Sequence, residues 1–381
     1  MTLALSGARI LTPEGVVDGH MLVIDAGRIQ RIAPLGEIPA NARHLRLQGG
    51  WLAPGFVDLQ VNGGGGVMLN NAPSVDSLRK MAQAHARIGA TTILPTLITD
   101  TPAVVAAAIT AVEMAVAGGV PGIAGLHLEG PHLALSRKGA HYPALIRVME
   151  EEDLALLLEA ARRLPLLKVT LATESVTPEQ IRALTAAGVL VSLGHTDARF
   201  EDCRAAADAG AACVTHLFNA QSQMGNREPG VVGAALALGA LSAGIIADGI
   251  HVHPASLRNA LRAKAGPGRV FLVSDSMATA GSDIDAFTLN GREIRRSGDR
   301  LTLVDGTLAG AHLELAQAIR NAMAMGGLDA CEALGMATRY PADLIGRFDL
   351  GRIAVGARAD LVHLDEDLCL RRVWRDGLDL D

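Results

Sequence analysis

The spacing of hydrophobic and polar positions divides this chain into three stretches. Residues 3 to 50 alternate over short runs, LALSGARIL, MLVIDAGRIQRIAP and HLRLQGG, separated by Gly, Pro and Asp. That is the pattern of short strands joined by hairpins. The C-terminal run RIAVGARADLVHLDEDLCLRRVWRDG reads the same way. The two ends therefore predict one small β domain, residues 1–52 with 352–381, built from segments far apart in the chain. Two unrelated hairpins decorating a shared core are the alternative.

Between the ends, apolar β-branched runs alternate with amphipathic segments. Eight strand candidates follow: Gly55–Val61, Thr91–Ile98, Gly122–Leu128, Leu166–Ala172, Val189–Gly194, Ala211–Leu217, Ala243–Asp248 and Val270–Asp275. The helical segments VDSLRKMAQAHARIG and PEQIRALTAAG each stop at Gly, a common C-terminal signal. Strands alternating with helices pair in parallel. Eight such units over residues 53–351 predict an α/β fold of the (β/α)8 TIM type. A doubly wound open sheet fits the same alternation. It lacks support from a GxGxxG fingerprint, since Gly63 to Gly66 do not have that spacing.

Composition narrows the function. With 49% hydrophobic and 19% charged residues the chain is an ordinary globular one, and 3% aromatics leave the core to Ala, Val, Leu and Ile. The net charge of −6 and the lack of a basic stripe argue against nucleic-acid binding. They leave room for an anionic substrate held by a few local Arg and His residues. None of the four cysteines forms a CxxC pair, which fits reduced thiols in the cytoplasm. The first residues lack the basic and apolar regions of a signal peptide. No run reaches the ~18 apolar residues of a membrane span. A cytoplasmic protein that does not enter the membrane is expected.

The candidate chemistry lies at the ends of the strands, where barrel enzymes place catalytic side chains. GIAGLHLEGPH ends at Glu129, VLVSLGH at His195, ACVTHLFNA presents His216, GIIADGIHVH leads to His251, and VFLVSDS ends at Asp275. One carboxylate and two imidazoles form a hydrolytic metal set with a position open for water. Asp275 would serve that water as general base, then return the proton to a leaving nitrogen. A single His is more often structural; three ligands on three strand ends are harder to reach by chance. His127 shares the barrel-facing side with Glu129, where it supports the ligands or is merely buried. His85 reads as structural, and His132, His253 and His312 stay open. Arg227, in NREPG, and His251 are suited to an anion such as phosphate, although a surface ion pair accounts for Arg227 equally well.

HLEGPH, SLGHTDA, THLFNA, NREPG, ADGIHVH and LVSDSM, in this order, resemble the successive motifs of the N-acetylglucosamine-6-phosphate deacetylases of the amidohydrolase superfamily. PGFVDLQVNGGGG and ATTILPTLIT resemble the family's first two strands, and DGTLAG a later substrate loop. The resemblance implies a (β/α)8 barrel with a small β-sandwich domain formed by both termini. It implies hydrolysis of N-acetylglucosamine 6-phosphate to glucosamine 6-phosphate and acetate. Carried over by position, Glu129, His195 and His216 match metal ligands and Asp275 the catalytic acid/base. His141 matches the residue at the acetamide carbonyl, and Asn219, Ala220, Arg227 and His251 match substrate contacts. In the family, the counterpart of Arg227 reaches the phosphate from the neighbouring subunit, which implies a homodimer.

Two departures from the family pattern bear on this reading. Where many amidohydrolases carry His-x-His on the first strand, Asp58 and Gln60 stand here. That implies one divalent metal per subunit. Zinc fits the ligands best, and iron, cobalt or manganese are compatible with them. Ala311 and His312 replace small polar residues in the substrate loop. The choice between gluco and galacto sugars stays open, as does another N-acyl substrate. A non-catalytic sugar-phosphate binder is expected to have lost a ligand or the Asp, and all four are present.

Overall fold

The computed structural model describes residues 2–36, 39 and 42–380. Eight strands form the centre: β1 (Val57–Val61), β2 (Thr92–Ile98), β3 (Leu126–Glu129), β4 (Leu167–Leu171), β5 (Leu190–Leu193), β6 (Cys213–Val214), β7 (Ser242–Ile245) and β8 (Val270–Leu272). Each pairs in parallel with the next, in sequence order. The ends of β1 and β8 then meet. Asp275 N–H donates to the Gln60 carbonyl at 3.1 Å and Asn62 N–H to the Ser276 carbonyl at 2.9 Å. This seam closes the barrel and excludes the open doubly wound sheet. It also sets Gln60 and Asn62 beside Asp275.

Each strand overlaps the run read from the sequence, with β3 reaching one residue past its run, to Glu129, and β7 starting one residue before its run, at Ser242. β1 to β4 are buried along their whole length, because helices cover a parallel sheet from outside and side chains fill it from within. Even the polar residues of these strands, such as Asp58, Gln60, Lys168 and Thr170, are therefore buried. The helix Val75–Arg87 starts where the Ser74 side chain accepts from Ser77 N–H, and it buries Leu78, Met81 and Ala82. Pro178–Ala186 starts with a capping box between Thr177 and Gln180. Past their ends, Gly89 and Gly188 adopt φ of 96° and 85°, a conformation that would strain a side chain.

Both termini build the small domain. One six-stranded sheet runs in the order Leu378–Asp379, Leu370–Arg375, Leu361–Leu364, Trp51–Pro54, Arg9–Thr12, Gly15–Val17. A four-stranded sheet holds Arg28–Pro34, His20–Asp25, Leu3–Ser6 and Arg43–Arg46. Leu5, Ile10, Leu22, Ile29, Leu361 and Trp374 pack in a common core. The alternative of unrelated hairpins is excluded, since Leu361–Leu364 pairs directly with Trp51–Pro54.

One element was not read from the sequence. After β8, the strands Ala286–Leu289, Arg292–Ser297, Arg300–Leu303 and Leu308–Ala311 form an antiparallel sheet. Its signal was present in AFTLNGREIRR, where Asn-Gly sits between two short runs. Leu289, Ile294 and Leu301 pack it onto Met68, Ile98 and Met277 at the barrel mouth. Among the described residues, no helix is long and apolar enough to cross a membrane.

Candidate active site

The residues that close the strands converge at the C-terminal mouth of the barrel. His195, His216 and Asp275 follow β5, β6 and β8 with φ of 49°, 29° and 50°. Non-glycine residues avoid this region at a cost of about 1–3 kcal/mol each. Here the sharp turn off each strand brings its side chain to the mouth, and the surrounding barrel holds it.

Glu129 Oε1 lies 3.2 Å from His195 Nε2 and 3.0 Å from His216 Nε2, and the two nitrogens are 3.1 Å apart. His195 Nδ1 donates to the Arg137 carbonyl at 2.7 Å. A carbonyl only accepts, so Nδ1 carries the proton and Nε2 is left with a lone pair when the ring is neutral. Three ligand atoms about 2.0–2.1 Å from a tetrahedral ion stand roughly 3.3–3.4 Å apart. The observed triangle is almost that size, and the residues fit a divalent metal. Glu129, His141 and His195 also place ligand atoms within 4.8 Å of one another. The trio with His216 is tighter than that set, and His141 lies next to it.

Asp275 stands beside this triangle. Its Oδ1 accepts from Asn62 Nδ2 at 2.8 Å and from Gln60 Nε2 at 3.0 Å. Gln60 Nε2 also reaches both Glu129 oxygens at 3.3 Å. The residues facing the site from β1 are therefore Gln60 and Asn62, not Asp58 and Gln60 as expected from the sequence. Asp58 lies one pleat deeper, accepts from Ser274 N–H at 3.3 Å, and has its carboxyl pushed by burial up to about 7. The period of two along a strand explains the shift, since Asn62 is the next residue on the face of Gln60.

The charges at the site are coupled. Burial alone would raise Glu129, but the imidazoles of His195 and His216 beside it hold its carboxyl well below the usual range. Burial works against the charged form of His216, and Glu129 reverses this, moving that imidazole up. Burial, then the neighbouring Glu129 charge, raises Asp275. A carboxyl raised in this way holds a proton more firmly than a free one, as a group that takes and returns a proton must.

His141 comes from the loop after β3, with its ring centroid 4.4 Å from that of His195. Its Nδ1 faces Thr99 Oγ1 at 2.8 Å and Thr99 N–H at 3.4 Å. A backbone N–H can only donate, so Nδ1 is the acceptor and Nε2 carries the proton. Burial, then the adjacent His195, holds the His141 pKa well below the usual range. His141 is thus a neutral ring whose Nε2–H can polarise a carbonyl oxygen.

Asn219, Ala220 and His251 line the same cavity, as do Thr307, Leu308 and Gly310 at the last strand of the inserted sheet. His251 Nδ1 donates to Asp248 Oδ2 at 2.6 Å, and Asp248 Oδ1 accepts from the N–H groups of Ile250 and His251 at 2.8 Å. The ring is fixed, with Nε2 as its free edge. Arg227 is different. It is exposed and does not line this cavity.

The remaining histidines are accounted for by their hydrogen bonds. His127 bridges Thr96 and Thr170 inside the barrel. His85 is buried and donates to the Gly63 carbonyl. His132 donates to the Arg147 carbonyl, and His253 accepts from Ala255 N–H at a helix start. His312 pairs with Thr279 and does not line the cavity. Asn62, Thr99 and Asp248 were missed in the sequence, because their importance depends on which side chains they meet.

The Amidohydrolase family profile matches residues 51–378. The chain belongs to the amidohydrolase family. Within it, the chain is 44% identical over 98% of its length to the N-acetylgalactosamine-6-phosphate deacetylase of Shewanella sp. (strain ANA-3), covering 95% of that protein. It is 34% identical to the N-acetylglucosamine-6-phosphate deacetylase of Haemophilus influenzae, over 95% of this chain and 94% of that one. The crystal structure of N-acetylglucosamine-6-phosphate deacetylase from Pasteurella multocida superposes with a TM-score of 0.94 at 34% identity, covering 99% of both chains. Barrel, terminal domain and inserted sheet thus sit in an amidohydrolase matched along nearly its whole length.

Proposed function

We propose that this amidohydrolase converts N-acetyl-D-glucosamine 6-phosphate and water to D-glucosamine 6-phosphate and acetate. The observation that carries the reading is the meeting of Glu129, His195, His216 and Asp275 at one barrel mouth, in a chain that resembles amino-sugar-phosphate deacetylases throughout. The galacto epimer is the second reading, favoured by the 44% identity with the Shewanella protein.

Glu129, His195 and His216 are the proposed ligands of one divalent metal, zinc first. When bound, such an ion acidifies a water molecule and polarises the carbonyl. Asp275 takes the proton from the attacking water. As the C–N bond breaks, Asp275 delivers that proton to the sugar nitrogen, so the amine leaves neutral. His141 Nε2–H donates to the acetamide oxygen as charge builds there. Asn219, the Ala220 backbone and His251 hold the sugar phosphate in register. Gln60 and Asn62 fix the carboxylate of Asp275 against the seam of the barrel.

Arg227 completes the phosphate site from a second subunit in this reading. Its exposure, away from the cavity of its own chain, supports a role across a dimer interface. The free cysteines and the substrate class support a cytoplasmic place of work.

The test is acetate release by purified, metal-assayed protein, with the gluco and galacto 6-phosphates side by side. Chelator-sensitive release from the gluco compound is the expected result. A preference for the galacto compound keeps the chemistry and moves the substrate. No release from either sinks the proposal.

A further inference from the structure

The inserted sheet does more than line the cavity. Its first turn, Asn290–Gly291–Arg292, lies against the two segments that hold His141. The Arg292 guanidinium donates through Nη2 to the carbonyl of Ala140, the residue just before His141. Its Cζ stands 5.9 Å from the ring centroid of Tyr142, the residue just after. Arg292 Nε is buried without a hydrogen-bond partner. Asn290 Nδ2 reaches the Thr99 carbonyl at 3.5 Å, and Thr99 supplies both groups that face His141 Nδ1. One turn thus touches the chain on both sides of His141 and the residue that sets its tautomer.

We infer that the Asn290–Arg292 turn is a positioning clamp for His141, with Arg292 as its main positioning residue. The inference rests on the deacetylase reading above for what His141 does, but not for how it is held. His141 sits in a loop between two single 3-10 turns, Leu135–Arg137 and Pro143–Leu145, outside any strand or α-helix, so contacts from elsewhere in the chain help to fix its place. A displacement of about 1 Å of such a group can cost as much as 10²-fold in rate. The buried, unpaired Nε has a cost of its own, which is tolerable where the same guanidinium holds the loop.

The apolar docking of the sheet is separate from the clamp. Leu289, Ile294 and Leu301 bury themselves against Met68, Ile98 and Met277, and Asn71 Nδ2 donates to the Thr288 carbonyl at 2.6 Å. Arg292→Met should therefore leave the sheet docked while releasing Ala140.

The experiment compares wild type, Arg292→Met, Arg292→Lys, His141→Asn and the double variant Arg292→Met/His141→Asn as metal-loaded protein. Expected for Arg292→Met is a kcat loss of about tenfold, with KM and metal content within about twofold of wild type. Arg292→Lys, which keeps one donor, should recover part of that loss. In the His141→Asn background, Arg292→Met should cost less than about twofold, because the two residues act through one group. A full tenfold loss in that background overturns the clamp, as does a rise in KM with kcat unchanged. Should Arg292→Met fold poorly, Asn290→Ala gives the same comparison through Thr99.

A second readout does not depend on the substrate. In protein labelled with 15N-histidine, Arg292→Met should shift or broaden the His141 ring signals and leave His127 unchanged. Unaltered His141 signals overturn the clamp. A wild type inactive on both epimers brings down the functional reading, and the ring signals then decide the clamp alone.

Discussion

His195 and His216 hold their Nε2 atoms 3.1 Å apart, both within 3.2 Å of Glu129 Oε1. Two neutral imidazoles so placed, with His195 protonated at Nδ1, leave at least one lone pair directed at the common point. A divalent ion there satisfies all three groups at once. Purified protein should hold close to one metal per chain. Glu129→Gln or His216→Ala should lose the metal and lower activity by at least about 10²-fold, the scale of removing one group that stabilises the transition state. Metal analysis beside acetate release checks this; full metal in either variant would exclude that residue as a ligand.

Asp275→Asn keeps the hydrogen-bonding shape of the side chain and removes its basicity. Turnover should fall by about 10²–10⁴-fold, the usual contribution of a general acid–base group. Metal content should stay near wild type, because Asp275 is not in the ligand triangle. Substantial retained turnover would assign the proton transfer elsewhere.

Arg227 lies outside the cavity of its own chain, and in the proposed dimer its effect should cross between subunits. Arg227→Ala should raise KM for the phosphorylated substrate about tenfold or more and leave a non-phosphorylated analogue nearly unchanged. Arg227→Ala mixed with Asp275→Asn should regain activity, since a hybrid dimer contains one site with both groups intact. No recovery after verified subunit exchange would place Arg227 in its own subunit's site or in the fold.

His85 provides a test of stability against pH. Burial lowers its pKa from 6.5 to about 4, so the folded protein resists protonating it and the unfolded chain does not. The contribution to stability is fully present above about pH 6.5 and is lost as pH falls through 4. The shift corresponds to roughly 3 kcal/mol. His85→Gln removes this titration, so urea unfolding between pH 7 and pH 4 should show a smaller drop than in wild type. Parallel slopes for the two proteins would mean that His85 does not titrate differently on folding.

The sequence by itself determined the periodic parts. Apolar-rich, β-branched runs between Val57 and Leu272 marked eight strands, because a parallel barrel buries both faces of each. Glu129, His195, His216 and Asp275 were legible because they follow such runs directly. Only the tertiary structure decided which residues meet. The contact of Gln60 and Asn62 with Asp275 depends on closure between β1 and β8, which are 209 or more residues apart from Val61 to Val270. Asp58 was misplaced by one pleat because strand register is set by pairing. The Arg292 contact with Ala140 leaves no periodic trace, since it joins residues 152 apart through the packing of the whole chain, and the local Asp248–His251 pair lies in an irregular turn outside any periodic element.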